Sequence, residues 1–346
     1  MTIANYAYAY TRIRARMGDI LSEGSLRRLI DAKDKADFLS ALMASAYKGK
    51  LMKATLTELS DIESALKEEL IDQYLMVIRS TSGELRDFFE EVFRRLEVEN
   101  LKTVMRAKTS TMVPLKPFLF PLESFFGRKI SNLMEAKSLE SVVKLLENPY
   151  KDILEAVLPE YEKSKKALIF EIALDNELFT AVWRRMERLR AGDREIVRRV
   201  MGTEFDIANL MTLLRCKSEG VDEDELRSYF FPYGYAFDVD SPEATASLSA
   251  EDVSSAIRSL PPPYAEELLK ALPSYAREGS LIPLEYALKE FFFRTIKDTL
   301  RSNPINIGTI LGFLYLKKIE VKNLYAIAVC KENGIPVERI KELIIA

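Results

Sequence analysis

The sequence contains no histidine and only two cysteines among its 346 residues. Without histidine there is no Ser-His-Asp or Cys-His catalytic set, no imidazole metal ligand and no ordinary proton shuttle at neutral pH. Two cysteines alone cannot complete a zinc site. Neither a G-x-x-x-x-G-K-[ST] phosphate loop nor a G-x-G-x-x-G loop occurs. The sequence therefore predicts no active site, no cofactor and no metal ion.

No apolar run is long enough to cross a membrane, and neither charge sign dominates. The longest uncharged stretch, Ser302 to Leu316, has fifteen residues, whereas a membrane-spanning helix needs about 20. We expect a buried helix that begins near Pro304, in which Gly308 and Gly312 let another helix approach closely. Membrane contact is the less favoured alternative. Lys and Arg number 50 against 53 Asp and Glu, a net charge of −3, which disfavours nucleic acid as a partner.

The cysteines indicate a reducing compartment, and the first residues are typical of a cytoplasmic protein. Cys216 and Cys330 stand at the same position of the repeat described below, so we expect two small buried residues without a disulfide bond. Arg12, Arg14 and Arg16 follow a Tyr/Ala-rich stretch instead of preceding an apolar core. We therefore expect a mature, cytoplasmic-type N-terminus.

One short pattern, [DE]-[VI]-x-N-L-x4-[RV]-[AC]-K, occurs three times, and we call it the Asn-Leu signature. Its acid, asparagine and lysine are Glu97, Asn100 and Lys108, then Asp206, Asn209 and Lys217, then Glu320, Asn323 and Lys331. The asparagines are 109 residues apart (209 minus 100) and then 114 (323 minus 209). An E-x-A-L triplet at Glu63, Glu171 and Glu285 keeps nearly the same spacing. Tyr47, Tyr150 and Tyr264, each at the end of a shared hairpin-like stretch, recur in the same order. Such order at one offset indicates internal repetition.

The apolar pattern predicts an all-α fold with about six short helices per repeat. Apolar residues recur at helical spacing nearly everywhere, and most prolines fall between apolar runs. Counting back from the chain end places three homologous helical modules at 1–122, 123–232 and 233–346. Gly220 and Gly334 suit left-handed helix ends. Asp222 and Pro336 then suit the starts of the helices that follow.

The Asn-Leu signature has a functional and a structural interpretation. Glu97 and Lys108 are eleven residues, about three helical turns, apart and so share one helix face. That face could grip a partner or an ion. Alternatively, the asparagine satisfies a backbone group at a bend or a neighbouring helix, while the acid and the lysine line the wet edge. We favour the structural interpretation, because all three modules carry the set whereas a binding site is usually built once.

Two aromatic clusters stand out in the last third of the chain. One comprises Tyr229, Phe230, Phe231, Tyr233, Tyr235 and Phe237, and the other Phe291, Phe292 and Phe293. Most such side chains belong to a protein core. Because the first cluster surrounds Pro232 and Gly234, an exposed loop that docks a partner is the less favoured alternative.

Taken together, these segments resemble the C subunit of V/A-type rotary ATPases, which is equivalent to the d subunit of the vacuolar enzyme. The resemblance is carried by the triplicated module, the start Asn5-Tyr6-Ala7 followed by three arginines, and the segment from Gly308 to Leu324. It covers essentially the full chain, and the C-terminal segment is its most specific part. No single motif is decisive; length, triplication and order are decisive together.

The resemblance implies three modules arranged as a pseudo-three-fold funnel without catalysis of its own. In that family the protein sits on the membrane proteolipid ring and receives the foot of the central shaft. It thereby couples proton or sodium transport to ATP synthesis or hydrolysis. The implied partners are the central-shaft subunits and the proteolipid ring. The implied location is the cytoplasmic face of the cell membrane, peripheral, with attachment only through the ring.

Two other functions stay open at this point. The first is a free-standing helical adaptor or scaffold with soluble partners, built from the same repeat. The second is an enzyme that uses carboxylates around Glu97, Asp206 and Glu320, which would require these three side chains to share one cleft.

Overall fold

The computed structural model describes residues 4–109, 119–122, 125–302 and 305–345, and all regular secondary structure in these ranges is helical. This confirms the all-α fold class. The nineteen helices of the described residues are α1 (Ala4–Met17), α2 (Glu23–Ile30), α3 (Lys35–Leu42), α4 (Lys48–Leu51), α5 (Leu59–Ser80), α6 (Gly83–Phe93), α7 (Arg95–Thr109), α8 (Phe125–Glu135), α9 (Leu139–Leu145), α10 (Tyr150–Ser164), α11 (Leu168–Met186), α12 (Ala191–Glu219), α13 (Glu223–Ser228), α14 (Pro242–Leu248), α15 (Val253–Ser259), α16 (Tyr264–Glu278), α17 (Ile282–Ser302), α18 (Ile307–Glu332) and α19 (Val337–Leu343). They are not uniformly short, since α12 alone has 29 residues.

The chain folds into two compact units, each assembled from separate stretches of sequence. Unit 1 combines Met1–Tyr10, Leu189–Leu316 and Ile345–Ala346. Unit 2 combines Thr11–Arg188 with Lys317–Ile344. The three modules are repeats of sequence, and their boundaries stay a prediction.

The core of unit 1 forms where α12, α15, α16 and α17 bury their apolar faces against one another. Leu210, Leu214, Leu268 and Leu288 belong to this core and are fully buried. The long helix α12 ends at Gly220, whose φ of +69° is the left-handed conformation predicted from the sequence. Glycine adopts it without the steric cost that a Cβ atom would add.

The two glycines of α18 allow the close helix contact that the sequence predicts. A Cβ atom on Gly312 would lie 2.7 Å from the side chain of Leu300 in α17, and one on Gly308 would lie 2.8 Å from Thr299. The helix begins at Ile307, after the expected start near Pro304, a residue outside the described ranges. Asn306 sets this start, because its side-chain oxygen accepts a hydrogen bond from the Gly308 amide at 2.8 Å. Among the described residues no helix is long and apolar enough to cross a membrane.

In unit 2, α11 runs antiparallel to α6 and α7, which only Arg94 separates. Near the end of α11, Arg185 lies 3.4 Å from Asp87 in α6. Near its start, Glu171 lies 2.5 Å from Arg106 in α7. The two ion pairs therefore fix the direction of α11 at both of its ends.

The helix α5 is antiparallel to α6. Only Thr81 and Ser82 join α5 to α6, and away from this turn the rings of Tyr74 and Phe93 are 5.8 Å apart. The turn therefore folds α6 back along the second half of α5.

Candidate functional site

The asparagines of the first two Asn-Leu signatures hold loop backbone by paired hydrogen bonds. The side-chain amide of Asn209 donates to the Phe231 carbonyl at 2.9 Å, and its oxygen accepts from the Phe231 amide at 2.9 Å. Asn100 makes the same pair with Phe120, at 3.0 and 2.7 Å. Asn323 is buried as well, with 6% of its surface exposed. Asn209 and Asn100 thus each supply one donor and one acceptor to the backbone of a loop residue.

The acid of the second signature is fully buried at the centre of unit 1. Asp206 accepts the Tyr264 hydroxyl at 2.6 Å and three backbone amides, of residues 235–237, at 2.7 to 3.2 Å. A Cβ atom on Gly234 would lie 2.1 Å from an Asp206 oxygen, so only glycine fits beside the carboxylate. Burial raises the pKa of Asp206 to about 6, while the four donors oppose the rise.

The acid of the third signature lies in a comparable setting in unit 2. Glu320 accepts the Tyr47 hydroxyl at 2.6 Å and the Leu21 amide at 2.5 Å. It also pairs at 2.7 Å with Lys317, which has only 1% of its side chain exposed. Burial first, and then the Glu320 charge, raises the pKa of Tyr47 well above its usual value. Glu320 and Lys317 thus form a buried ion pair, and Glu320 also accepts the hydrogen bond of the Tyr47 hydroxyl.

The remaining repeated tyrosine, Tyr150, lies beside a basic group. Burial raises the pKa of Tyr150 to about 12; the charge of Arg94 opposes this rise and that of Glu97 adds to it. The Arg94 side chain donates to the Tyr150 hydroxyl at 3.3 Å. The acids of the second and third signatures thus accept hydrogen bonds from repeated tyrosines, whereas the third repeated tyrosine, Tyr150, accepts one from Arg94.

The lysines of the first two signatures cap the C-termini of other helices. Lys108 donates to the Met134 carbonyl in the last turn of α8, and Lys217 donates to the Leu248 carbonyl at the end of α14. These carbonyls have no partner within their own helices. Lys331 is buried, with 8% of its surface exposed. A lysine ammonium at a helix C-terminus also interacts favourably with the helix dipole.

Two details of the sequence interpretation require correction or refinement. The expectation that the acids line a wet edge is wrong for Asp206 and Glu320, which are 0% and 7% exposed, because each accepts a buried tyrosine hydroxyl. In the first aromatic cluster Phe230, Phe231 and Phe237 are core residues, whereas Tyr235 is 46% exposed; of the second cluster, Phe293 is buried. Cys216 and Cys330 are buried and form no disulfide bond, as expected.

Two cavities of the described residues are lined by residues outside the Asn-Leu signatures. A cavity of about 480 Å³ in unit 2 is lined in part by Asp19, Ser25 and Arg28. Another, of about 350 Å³ in unit 1, is lined in part by Arg199 and Glu267. Neither lining includes a signature residue. In the part of the chain that the structure describes, no three acidic or thiol side chains come together as a metal site.

Comparison with known proteins places this architecture in a family. The model of the ATP synthase (C/AC39) subunit family matches residues 9–343. The C subunit of the A-type ATP synthase of Methanothermobacter thermautotrophicus is 30% identical over 344 residues, which cover 98% of this chain and 87% of that protein. The corresponding C subunits of Methanocaldococcus jannaschii and Pyrococcus abyssi are 28% and 26% identical, over 99% and 98% of this chain and 87% and 90% of their own lengths. The chain therefore belongs to the ATP synthase (C/AC39) subunit family and is a non-catalytic subunit of an ATP synthase complex.

Proposed function

We propose that this protein is a central-rotor subunit of an A-type ATP synthase and couples the central shaft to the membrane proteolipid ring. The observation that carries the proposal is the family match over residues 9–343, together with relatives named as C subunits of A-type ATP synthases. In this role the protein would transmit torque between proton or sodium transport and ATP synthesis or hydrolysis. It would lie at the cytoplasmic face of the cell membrane, attached through the ring.

The interior of the protein supports a mechanical role. A part that transmits torque must keep its shape under load, and buried hydrogen bonds that are fully paired make a structure rigid. The buried signature residues are used in this way: Asn209 and Asp206 hold loop backbone, and Glu320 holds a hydroxyl, an amide and an ammonium group. We further propose that the three modules surround a funnel, as the resemblance implies.

The same contacts give no support to an enzyme that works with carboxylates. Asp206 lies in unit 1 and is occupied by Tyr264, whereas Glu320 lies in unit 2 and is occupied by Tyr47. A general acid or base must instead reach a substrate. A soluble adaptor would bind other partners than a rotor subunit does, so the identity of the partners distinguishes these two functions.

Affinity purification from detergent-solubilised membranes tests the proposal. The full-length chain carries a tag, and captured proteins are identified by mass spectrometry. We expect the proteolipid and the shaft subunits to be captured together with the nucleotide-binding subunits. An untagged strain provides the background. A clean soluble monomer, or capture of unrelated soluble proteins alone, would contradict the rotor function and favour the adaptor.

A further inference from the structure

Two glutamates of the repeated E-x-A-L triplet are paired with arginines of the Asn-Leu signatures. Arg106 of α7 donates to both carboxylate oxygens of Glu171 in α11, at 2.7 and 2.5 Å. Arg215 of α12 lies 3.6 Å from one oxygen of Glu285 in α17. Both arginines stand at the same position of the signature, six residues after its asparagine (106 minus 100 and 215 minus 209). A signature helix thus holds the E-x-A-L helix of the next repeat through a guanidinium and a carboxylate.

The third pair of this kind is incomplete. The third signature, in α18, has Val329 where the first two have arginine, and the remaining glutamate of the triplet is Glu63 in α5. Burial raises the pKa of Tyr325, one turn before Val329, to about 12, and Glu63 adds to the rise through its charge and as a hydrogen-bond acceptor. Glu63 therefore lies beside a signature helix, as Glu171 and Glu285 do, but without the arginine.

Glu63 and Glu285 differ by this one partner. In both residues, one carboxylate oxygen pairs with a lysine one turn later in the same helix, Lys67 at 2.5 Å and Lys289 at 2.7 Å. The other oxygen of Glu285 faces Arg215, whereas the other oxygen of Glu63 is buried without a hydrogen-bond partner among the described residues. Glu63 as a whole is 8% exposed. A buried carboxylate oxygen without a partner is unfavourable, so this oxygen is where a further donor would bind.

In the two complete pairs the arginine lies at the surface of the protein. The side chains of Arg106 and Arg215 are 55% and 57% exposed, so each guanidinium meets its glutamate from the solvent side. Val329 is partly exposed, and its apolar side chain supplies no donor. By the repeat, the place of the missing guanidinium therefore also faces outwards, where a side chain of another protein can approach.

We propose that Glu63 accepts an arginine side chain of a neighbouring subunit, which takes the place that Arg106 and Arg215 hold within the chain. Rotation of the partly exposed Tyr325 ring admits the guanidinium to the oxygen that lacks a partner, while Lys67 keeps the other oxygen. Arginine fits better than lysine, because its planar fork matches a carboxylate and is less strongly hydrated. The proposal rests on the proposed function in that it assumes assembly with other subunits, and it adds a contact residue and the chemistry of its partner.

Supplying the arginine within the chain tests the proposal. Val329→Arg should pair with Glu63, raise the melting temperature of the isolated protein and exclude the arginine of the neighbouring subunit. The variant is expressed beside a distinguishable wild-type chain, and the ATP synthase is purified through a tag on a nucleotide-binding subunit. Mass spectrometry then gives the share of each chain in the assembled complex. We expect the share of the Val329→Arg chain to fall at least about tenfold.

Two further variants separate charge from size. Val329→Met lengthens the side chain without adding charge and should leave both the melting temperature and the share in the complex unchanged. Glu63→Gln keeps the shape of the acceptor but removes its charge, so its share should also fall at least about tenfold. Adding Val329→Arg to Glu63→Gln should lower the share no further, because both changes remove the same contact.

The outcomes that overturn the arginine contact differ from those that overturn the rotor function. An unchanged share of Val329→Arg or of Glu63→Gln, or an equal loss with Val329→Met, would refute the contact. An unchanged melting temperature of Val329→Arg would show that an arginine at this position does not reach Glu63, and would refute it as well. In all these cases wild type still enters the complex and the rotor function stands. Wild type that is absent from the complex would contradict the rotor function and the contact together.

Discussion

Replacement of Asn209 by alanine should destabilise the protein before it affects partner binding. Asn209 is fully buried and makes two hydrogen bonds, both to the backbone of Phe231. Alanine removes both of these hydrogen bonds from the buried Phe231 backbone. The loss of a hydrogen bond by a buried polar group costs about 1–3 kcal/mol, so the two losses should lower the free energy of unfolding by about 2–6 kcal/mol. That is a large share of the stability of a typical domain, about 5–15 kcal/mol.

Thermal unfolding followed by circular dichroism measures the loss, and hydrogen exchange at the Phe231 amide locates it. Asn333→Ala is the matched control, because Asn333, directly after α18, is exposed and its side chain donates to the Val329 carbonyl of that helix. We expect that control to change stability by less than about 0.5 kcal/mol. Below its melting temperature the Asn209 variant should still capture the ring and shaft subunits. Loss of capture by a fully stable Asn209→Ala variant would refute the structural interpretation of the signature.

Three further predictions concern buried groups. The pKa of Asp206 should appear near 6 in a carboxyl ¹³C titration; because it is raised above the unfolded value, its contribution to stability is full below about pH 4 and is lost as the pH rises through 6. A midpoint below 4 would contradict this. Glu320→Gln removes the ion-pair partner of the buried Lys317 and should cost about 3–5 kcal/mol in urea unfolding; an unchanged midpoint would contradict this. Gly312→Ala places a Cβ 2.7 Å from a side chain of α17 and should cost about 1–3 kcal/mol, whereas Gly192→Ala, with open space around it, should be neutral in the same assay.

Much of the fold could be predicted from local patterns of the sequence. Helical periodicity gave the all-α class, and the glycines at 220 and 334 marked helix ends, where φ is +69° and +63°. The spacing of Gly308 and Gly312 predicted a close helix neighbour, and α17 occupies that place. These features succeed because each depends on residues within a few positions of one another.

The partners of the signature residues could not be predicted in the same way. Asn209 bonds to a residue 22 positions away and Asp206 to one 58 positions away. The repeated tyrosines were a signal, since Tyr264 follows Asp206 as Tyr150 follows Glu97. The sequence order hides the third pair, because Tyr47 precedes Glu320 by 273 positions. The sequence therefore predicted solvent-exposed acids, although Asp206 and Glu320 are buried.

The contact of Glu320 with Leu21 and Tyr47 has a consequence for synthesis on the ribosome. Unit 2 needs Lys317–Ile344 to complete its core, and these residues are translated after the whole of Leu189–Leu316. The long continuous stretch of unit 1, Leu189–Leu316, emerges earlier and can begin to pack its own helices. Residues 11–188 of the nascent chain must therefore wait, with their apolar faces partly uncovered, until α18 and α19 arrive. A chaperone that shields α2 to α5 during this interval would act on the nascent chain.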